Sequence, residues 1–251
     1  MPLYESHNYL NKNIEYIISN EIIEYDMKSA GFNIIKKFKL LDEKKIAHLE
    51  SLPKDRRQIT IGLYQRSNKD FAEELKSKFV EMRKMFFEAN ELSDDLVLSI
   101  KKDAIITTQR CYNVRFDNVE FAEKHVYTSY YYLSKFELYV GPDGIDLKGI
   151  SDDKLKYHKD YMLDFLFRFL KLVEVGSQRQ IISNLTQFAN YYKSKGLDVG
   201  YYRELNADSL FKLNKTFIGD LVGVQDVDSV DNIDISFNYM KFIVPLIRLL
   251  V

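Results

Sequence analysis

One cysteine, Cys111, and no tryptophan occur in the 251 residues. A lone thiol forms no internal disulfide and supports no Cys-based zinc site, so a reducing, cytoplasmic compartment is expected. No segment approaches the roughly 20 apolar residues of a membrane span. The apolar run 237–251 is short and interrupted by Lys241, Pro245 and Arg248, so docking on a core is its expected role. The N-terminal MPLYESHNYLNKN is polar and lacks the basic and then apolar pattern of a signal peptide. Neither sign of charge is in excess: 36 Lys and Arg face 37 Asp and Glu, for a net charge of -1. There is thus no global field for nucleic acid, and only a local patch could serve. No Gly-rich phosphate loop is present. His7, His48, His125 and His158 lack metal-ligand spacing, and Cys111 has no base near it in sequence, which sets aside zinc and thiol hydrolase chemistry.

What is there is a hydrophobic content of 46%, enough to bury a core as one large domain or two small ones. Lys, Asn, Ile and Tyr are abundant, the composition of an AT-rich genome such as that of a phage or a low-GC bacterium. The chain is organised around IIEYDMKSAGF, residues 22–32. If Ile22 to Met27 is a strand, its period of two puts Glu24 and Asp26 on one face at the strand's end. Two carboxylates there can hold a hard cation, which commonly takes one or two protein acids and leaves its other positions to water and phosphates. A lone Asp at a strand end more often caps a turn, so a second acid is needed. Asp103 supplies it, in LVLSIKKDAIIT, two apolar β-rich runs around a polar turn.

Between these segments lies the most basic part of the chain. Residues 28–66 carry ten Lys or Arg against four acids, either a solvated helix face or a groove for phosphates. Ser29 to Phe38 reads as a helix, Pro53 breaks the pattern, and Arg56, Arg57 and Arg66 then fall close to Tyr64. Asn68 caps a helix with Phe71, Leu75, Phe79, Met82 and Phe86 on one face, ending near Asn90; such a stripe is core. After the hairpin, a strand at about 113–116, an aromatic β-prone run from Tyr127 to Tyr139, a turn at Gly141, Pro142 and Gly144, and a returning strand are expected. From Asp153 the pattern is helical: Lys159 to Val175, then Ser177 to Gly196, as an αα-hairpin. The remainder, with the acidic loop 226–234, has no assignment, and no internal repeat is present.

The order of these pieces resembles the palm of family-B DNA polymerases. In EYDMKSAGF, Tyr25, Asp26 and Ser29 match the motif in which Asp ends a strand before Ser-Leu-Tyr-Pro, while Ala30, Gly31 and Phe32 replace Leu-Tyr-Pro. Arg57 and Tyr64 match the spacing of the motif Lys, three residues, Asn-Ser-x-Tyr-Gly, with Ile61, Gly62 and Gln65 replacing Asn, Ser and Gly. Lys101, Lys102, Asp103 and Ala104 stand for Asp-Thr-Asp-Ser, keeping the second Asp and losing the first. YYLSKFELYV with Lys148, Gly149 and Ile150 is similar to the strand and Lys-Gly-Ile return that follow in that family.

The resemblance spans about residues 20–175 and implies an α+β fold. Residues 1–152 would form an antiparallel palm-like sheet backed by helices, with a short fingers-like insertion at about 36–66, and residues 153–251 a mainly helical thumb-like region. It implies a minimal template-directed nucleotidyltransferase using Mg2+ or Mn2+, with no room before Asp26 for a proofreading domain. Asp26 and Asp103 would be catalytic, with Glu24 as an auxiliary metal ligand. Arg57, Arg56, Arg66 and Tyr64 would hold the nucleotide, and Lys101, Lys102 and Lys148 the nucleic acid. A primer-template, and with it a replication protein, are the implied partners, with no membrane, in the cytoplasm of a bacterial or phage-infected cell. Two ammonium groups beside the metal site would repel the cation. Two other readings therefore stay open: a polymerase-like protein that binds nucleic acid or a replication partner without catalysis, and a globular interaction protein.

Overall fold

Short, mostly apolar runs buried on both faces build the centre of the first sheet. The computed structural model describes residues 2–133, 136–142, 144–149 and 159–175, with scattered positions between 179 and 196. The expected helix after Gly176, the acidic loop 226–234 and the run 237–251 lie largely or wholly outside the described residues. In chain order the elements open with β1 (Asn8–Leu10), β2 (Tyr16–Ile17) and β3 (Ile22–Met27). Four helices follow, α1 (Ala30–Phe38), α2 (Glu43–Ser51), α3 (Lys54–Ser67) and α4 (Lys69–Ala89). Then come β4 (Val97–Lys101), β5 (Ala104–Thr107), β6 (Arg115–Phe116), β7 (Val119–Tyr127), β8 (Ser129–Leu133), β9 (Phe136–Val140), β10 (Ile145–Lys148) and α5 (Lys159–Val175). The fold is α+β, and among the described residues every strand pair is antiparallel.

Two compact units divide the chain, one of residues 1–14 and 20–127, the other of residues 15–19 and the chain from Thr128 on. The first holds a six-stranded sheet in the order β1-β4-β5-β3-β7-β6. Ile23, Tyr25 and Met27 of β3 enter the same core as Phe71, Leu75, Phe79, Met82 and Phe86 of α4, so the helix backs the sheet as its stripe requires. Phe86 is the centre of that contact: its ring stacks on Phe121 with centroids 4.4 Å apart and tilts against Tyr25 at 5.4 Å. Buried aromatic side chains of this kind contribute about 1.5–3 kcal/mol each. Asn68 caps α4 as expected, its side chain accepting from the Phe71 amide over 3.1 Å. Asp42 caps α2 in the same way, accepting from the Lys45 amide over 2.9 Å.

The second unit has a four-stranded sheet in the order β10-β9-β8-β2. The aromatic run builds its centre, with Tyr130, Tyr131, Tyr139 and Leu138 fully buried. Helix α5 packs beside β10 and buries Leu166, Phe169 and Leu170. No helix among the described residues is long and apolar enough to cross a membrane.

Candidate functional site

Strand β3 and the β4–β5 hairpin lie side by side, and this brings the two sequence-selected acids together. Asp26 stands opposite Ala104 in the β3–β5 register, and the Met27 amide donates to the Asp103 carbonyl over 3.0 Å. Period two holds on β3: Ile23, Tyr25 and Met27 face the helical core, which leaves Glu24 and Asp26 on the other face. Asp26 is half-buried, and its carboxyl is pushed above the usual range, first by burial and then by the Asp103 charge, with Glu24 adding to it. Lys124 and Lys54 act in the opposite direction. A bound cation at this point would oppose the shift by favouring the ionised carboxylate.

Glu24 is differently placed. It is 3% exposed, accepts a hydrogen bond from the Tyr127 hydroxyl at 2.9 Å and faces the Lys124 ammonium at 3.6 Å. That pairing comes from a bulge: Glu24 pairs with His125 and Tyr25 with Glu123, so Lys124 is the extra residue on β7. A bulge re-aims a side chain, and here it turns a lysine toward the acids. Glu24 thus has partners of its own, and the geometry offers two carboxylates, Asp26 and Asp103, as the pair for a cation. Among the described residues no group of three His, Cys, Asp or Glu gathers as a metal site. A pair still fits Mg2+, which keeps waters and takes substrate phosphates in its remaining positions.

Asp103 also lines a cleft of about 340 Å3, within the range of small-molecule sites, whereas Asp26 is not among its lining residues. Three segments wall it: Ser29, Ala30, Gly31 and Phe32 at the start of α1; Lys54, Arg57, Gln58, Ile61 and Gln65 on α3; Lys102 and Asp103 at the hairpin turn, with Phe79 of α4 behind. Ser29 sits in the left-handed region at φ 45 and its side chain does not cap α1. The first-turn amides of a helix carry partial positive charge suited to an anion. Gly31 leaves this wall bare, yet packing does not demand it, since a Cβ there would rest 3.8 Å from Ile61, an ordinary contact.

The sequence-selected cations divide on inspection. Arg57 lines the cleft, but its Nε and Nη2 donate to the carbonyls of Leu49 and Leu52, each over 2.9 Å, and its guanidinium lies 4.4 Å from the Phe32 ring centre. It therefore anchors α2 to α3, and the exposed Lys54, one turn earlier, is the freer cation. Tyr64 packs against the core, and neither it nor the exposed Arg56 and Arg66 lines the cleft. In the basic run Lys28, Lys36, Lys37 and Lys45 pair with Glu120, Glu50, Asp117 and Asp42, so much of that charge is already met on the surface. Lys102 lines the cleft, with its ammonium 5.5 Å from the Phe79 ring. Lys101 precedes the turn, paired across strands with Asn8 and Ala104. Lys148 belongs to the second unit, where it pairs with Asp146 at 3.5 Å.

Three residues near the acids escape a sequence reading. Lys54 is one more charge in a basic run, and Lys124 is aimed only by the bulge. Arg83 interrupts the core side of α4, fully buried, and burial lowers its pKa to about 10 while the Asp103 charge acts to raise it. A lone charge on an apolar stripe is the one signal that could have marked it. Cys111 is inert by burial, its thiol pushed up to about 12.

No curated protein matches this chain. The family model described as Bacteriophage PBS1 gene 130 protein matches residues 1–251, and the chain belongs to that phage family.

Proposed function

We propose that the cleft binds a nucleoside triphosphate and that the protein is a minimal, polymerase-like nucleotidyltransferase acting on a primed template. The observation that carries this reading is the meeting of three segments at one cleft: the β3–α1 junction after Asp26, the helix with Lys54 and Arg57, and the turn with Lys102 and Asp103. These are the segments in which the sequence resembles the palm and fingers of family-B DNA polymerases, and their convergence supports the likeness beyond the motifs alone.

Phosphoryl transfer asks mainly for positioning and charge stabilisation. Asp26 and Asp103 are the residues that would hold Mg2+, or Mn2+, and the ion would supply neutralisation of charge on the phosphate oxygens. Lys54 and Lys102 attract the triphosphate from two sides, and the amides at the start of α1 receive a phosphate oxygen. Arg57 fixes the spacing of α3 from the α1 wall through Phe32 and the α2 carbonyls. Glu24, held by Tyr127 and Lys124, orients β3 behind Asp26.

A second reading has its own observation. Lys124 and Lys54 already act on Asp26, so cations of the protein partly occupy the electrostatic role of a metal. On that reading the protein binds nucleic acid without catalysis. Primer extension with Mg2+ or Mn2+ separates the two: incorporation that disappears in Asp26→Asn and in Asp103→Asn supports the enzyme. Binding of a primer-template equally with and without metal, and no incorporation, supports the inactive form. Incorporation that survives in both variants would mean that the site lies elsewhere.

A further inference from the structure

We infer that Arg83 is a positioning residue for Asp103, clamping the backbone of Lys102 and so fixing the turn that presents this acid to the cleft. The inference rests on the cleft being a metal-nucleotide site. Arg83 projects from the core side of α4, between Met82 and Phe86, and is 0% exposed. Burying a guanidinium is far more costly than burying a hydrocarbon of similar size, and a well-packed apolar side chain would serve stability as well or better. What it does instead is donate from Nη1 to the Lys102 carbonyl over 2.7 Å and from Nε to the Tyr4 carbonyl over 2.8 Å.

Lys102 is an unusual residue to hold. It has φ 53, in the left-handed region that non-glycine residues rarely adopt without support. Its amide donates to the His7 carbonyl over 2.9 Å, so both polar backbone groups are tied from outside the hairpin. The next residue is tied as well, the Asp103 carbonyl accepting from Met27. The N-terminal segment, α4 and β3 thus grip the turn from three sides, with Arg83 joining the first two. A two-residue turn free of this grip could relax toward an ordinary conformation and carry Asp103 out of line with Asp26.

The test uses the full chain with Arg83→Met and Arg83→Lys. Arg83→Met removes both carbonyl contacts, and Arg83→Lys keeps the charge but cannot fork between two acceptors. Binding of Mn2+ alone, followed by electron spin resonance, should weaken about tenfold in Arg83→Met and less in Arg83→Lys. Hydrogen exchange over residues 101–104 should quicken while α4 stays protected. In primer extension, raising Mn2+ should restore the rate, and denaturant unfolding without metal separates this from a general loss of stability, which Mn2+ would also offset by mass action. Mn2+ affinity within twofold of wild type in a folded variant, or unchanged exchange at the turn, would overturn the inference. So would failure of both variants to fold, because Arg83 would then be a core residue first. A wild type that binds Mn2+ but incorporates no nucleotide defeats the functional proposal alone, and the affinity comparison still decides the role of Arg83. A wild type that binds no Mn2+ overturns both.

Discussion

The Met27 amide donates to the carbonyl of Asp103 over 3.0 Å, so the residue that follows one acid is bonded directly to the other. This bond extends the β3–β5 ladder one step past Asp26 and Ala104 and fixes the two carboxylates in one neighbourhood. Burial first, and then the nearness of Asp103, raises the carboxyl of Asp26, and this gives the first prediction its sign.

Asp26 has a folded pKa above its unfolded value, so the folded state holds its proton more tightly. Its favourable contribution is present below the ordinary Asp value of roughly 3.9 and is lost as pH rises through the raised folded value. Asp26→Asn should therefore raise Tm at neutral pH and leave it unchanged at strongly acid pH. Thermal melts across that range check it, and a Tm that falls at neutral pH would mean that the carboxylate is stabilised in the fold. Added Mg2+ should shrink the difference between the two proteins, because a cation binding the native wild type stabilises it by mass action.

Lys54 and Arg57 should separate binding from stability. Lys54→Ala should leave the unfolding free energy within about 0.5 kcal/mol of wild type, as expected for an exposed residue, while weakening triphosphate binding several-fold. Arg57→Ala removes two charge-assisted bonds to backbone carbonyls and the contact with Phe32, and should cost about 2–4 kcal/mol of stability. Calorimetric titration with a nucleotide and denaturant unfolding of both variants read the split. Equal losses of stability in the two would contradict the division drawn between them.

Gly31 should tolerate a side chain for folding but not for binding. Gly31→Ala adds a Cβ in ordinary contact with Ile61 and should stabilise α1 by up to about 1 kcal/mol, through helix propensity. Gly31→Leu should also fold, yet fill the cleft wall and reduce nucleotide affinity at least tenfold. Unchanged affinity in the leucine variant would place the ligand elsewhere.

Phe86→Ala tests the core under the site. The ring touches both Phe121 of β7 and Tyr25 of β3, so its loss should cost about 3–5 kcal/mol. Denaturant unfolding measures this directly, and a loss below about 1 kcal/mol would mean that the cavity collapses freely.

Much was legible in the sequence because it depends on local pattern. The apolar and polar residues of Ile22–Met27, the polar turn between two β-rich runs at 97–107, and the 3–4 stripe after Asn68 each identify an element and the residues it turns toward the helical core. Strand β7 was not legible: Val119 and Phe121 alternate, but the following Glu123, Lys124 and His125 break the pattern where the bulge lies. The site split in the same way. Asp26 and Asp103 are readable because each ends a strand or occupies a turn, whereas partners separated by long stretches of chain leave no periodic trace.

By itself, then, the sequence determined which segments become strand or helix and which residues they turn inward, because backbone periodicity and side-chain hydrophobicity act within a few residues. Only the tertiary structure decided which charges share a field. The β3–β5 register joined the acids, the bulge on β7 turned Lys124 toward Glu24, and α4 carried Arg83 beneath Lys102. It also withdrew Arg57 from solvent by offering it the α2 carbonyls, and left Lys54 at the cleft instead. These outcomes depend on distances between residues remote in sequence, and electrostatic and hydrogen-bond energies follow distance in space.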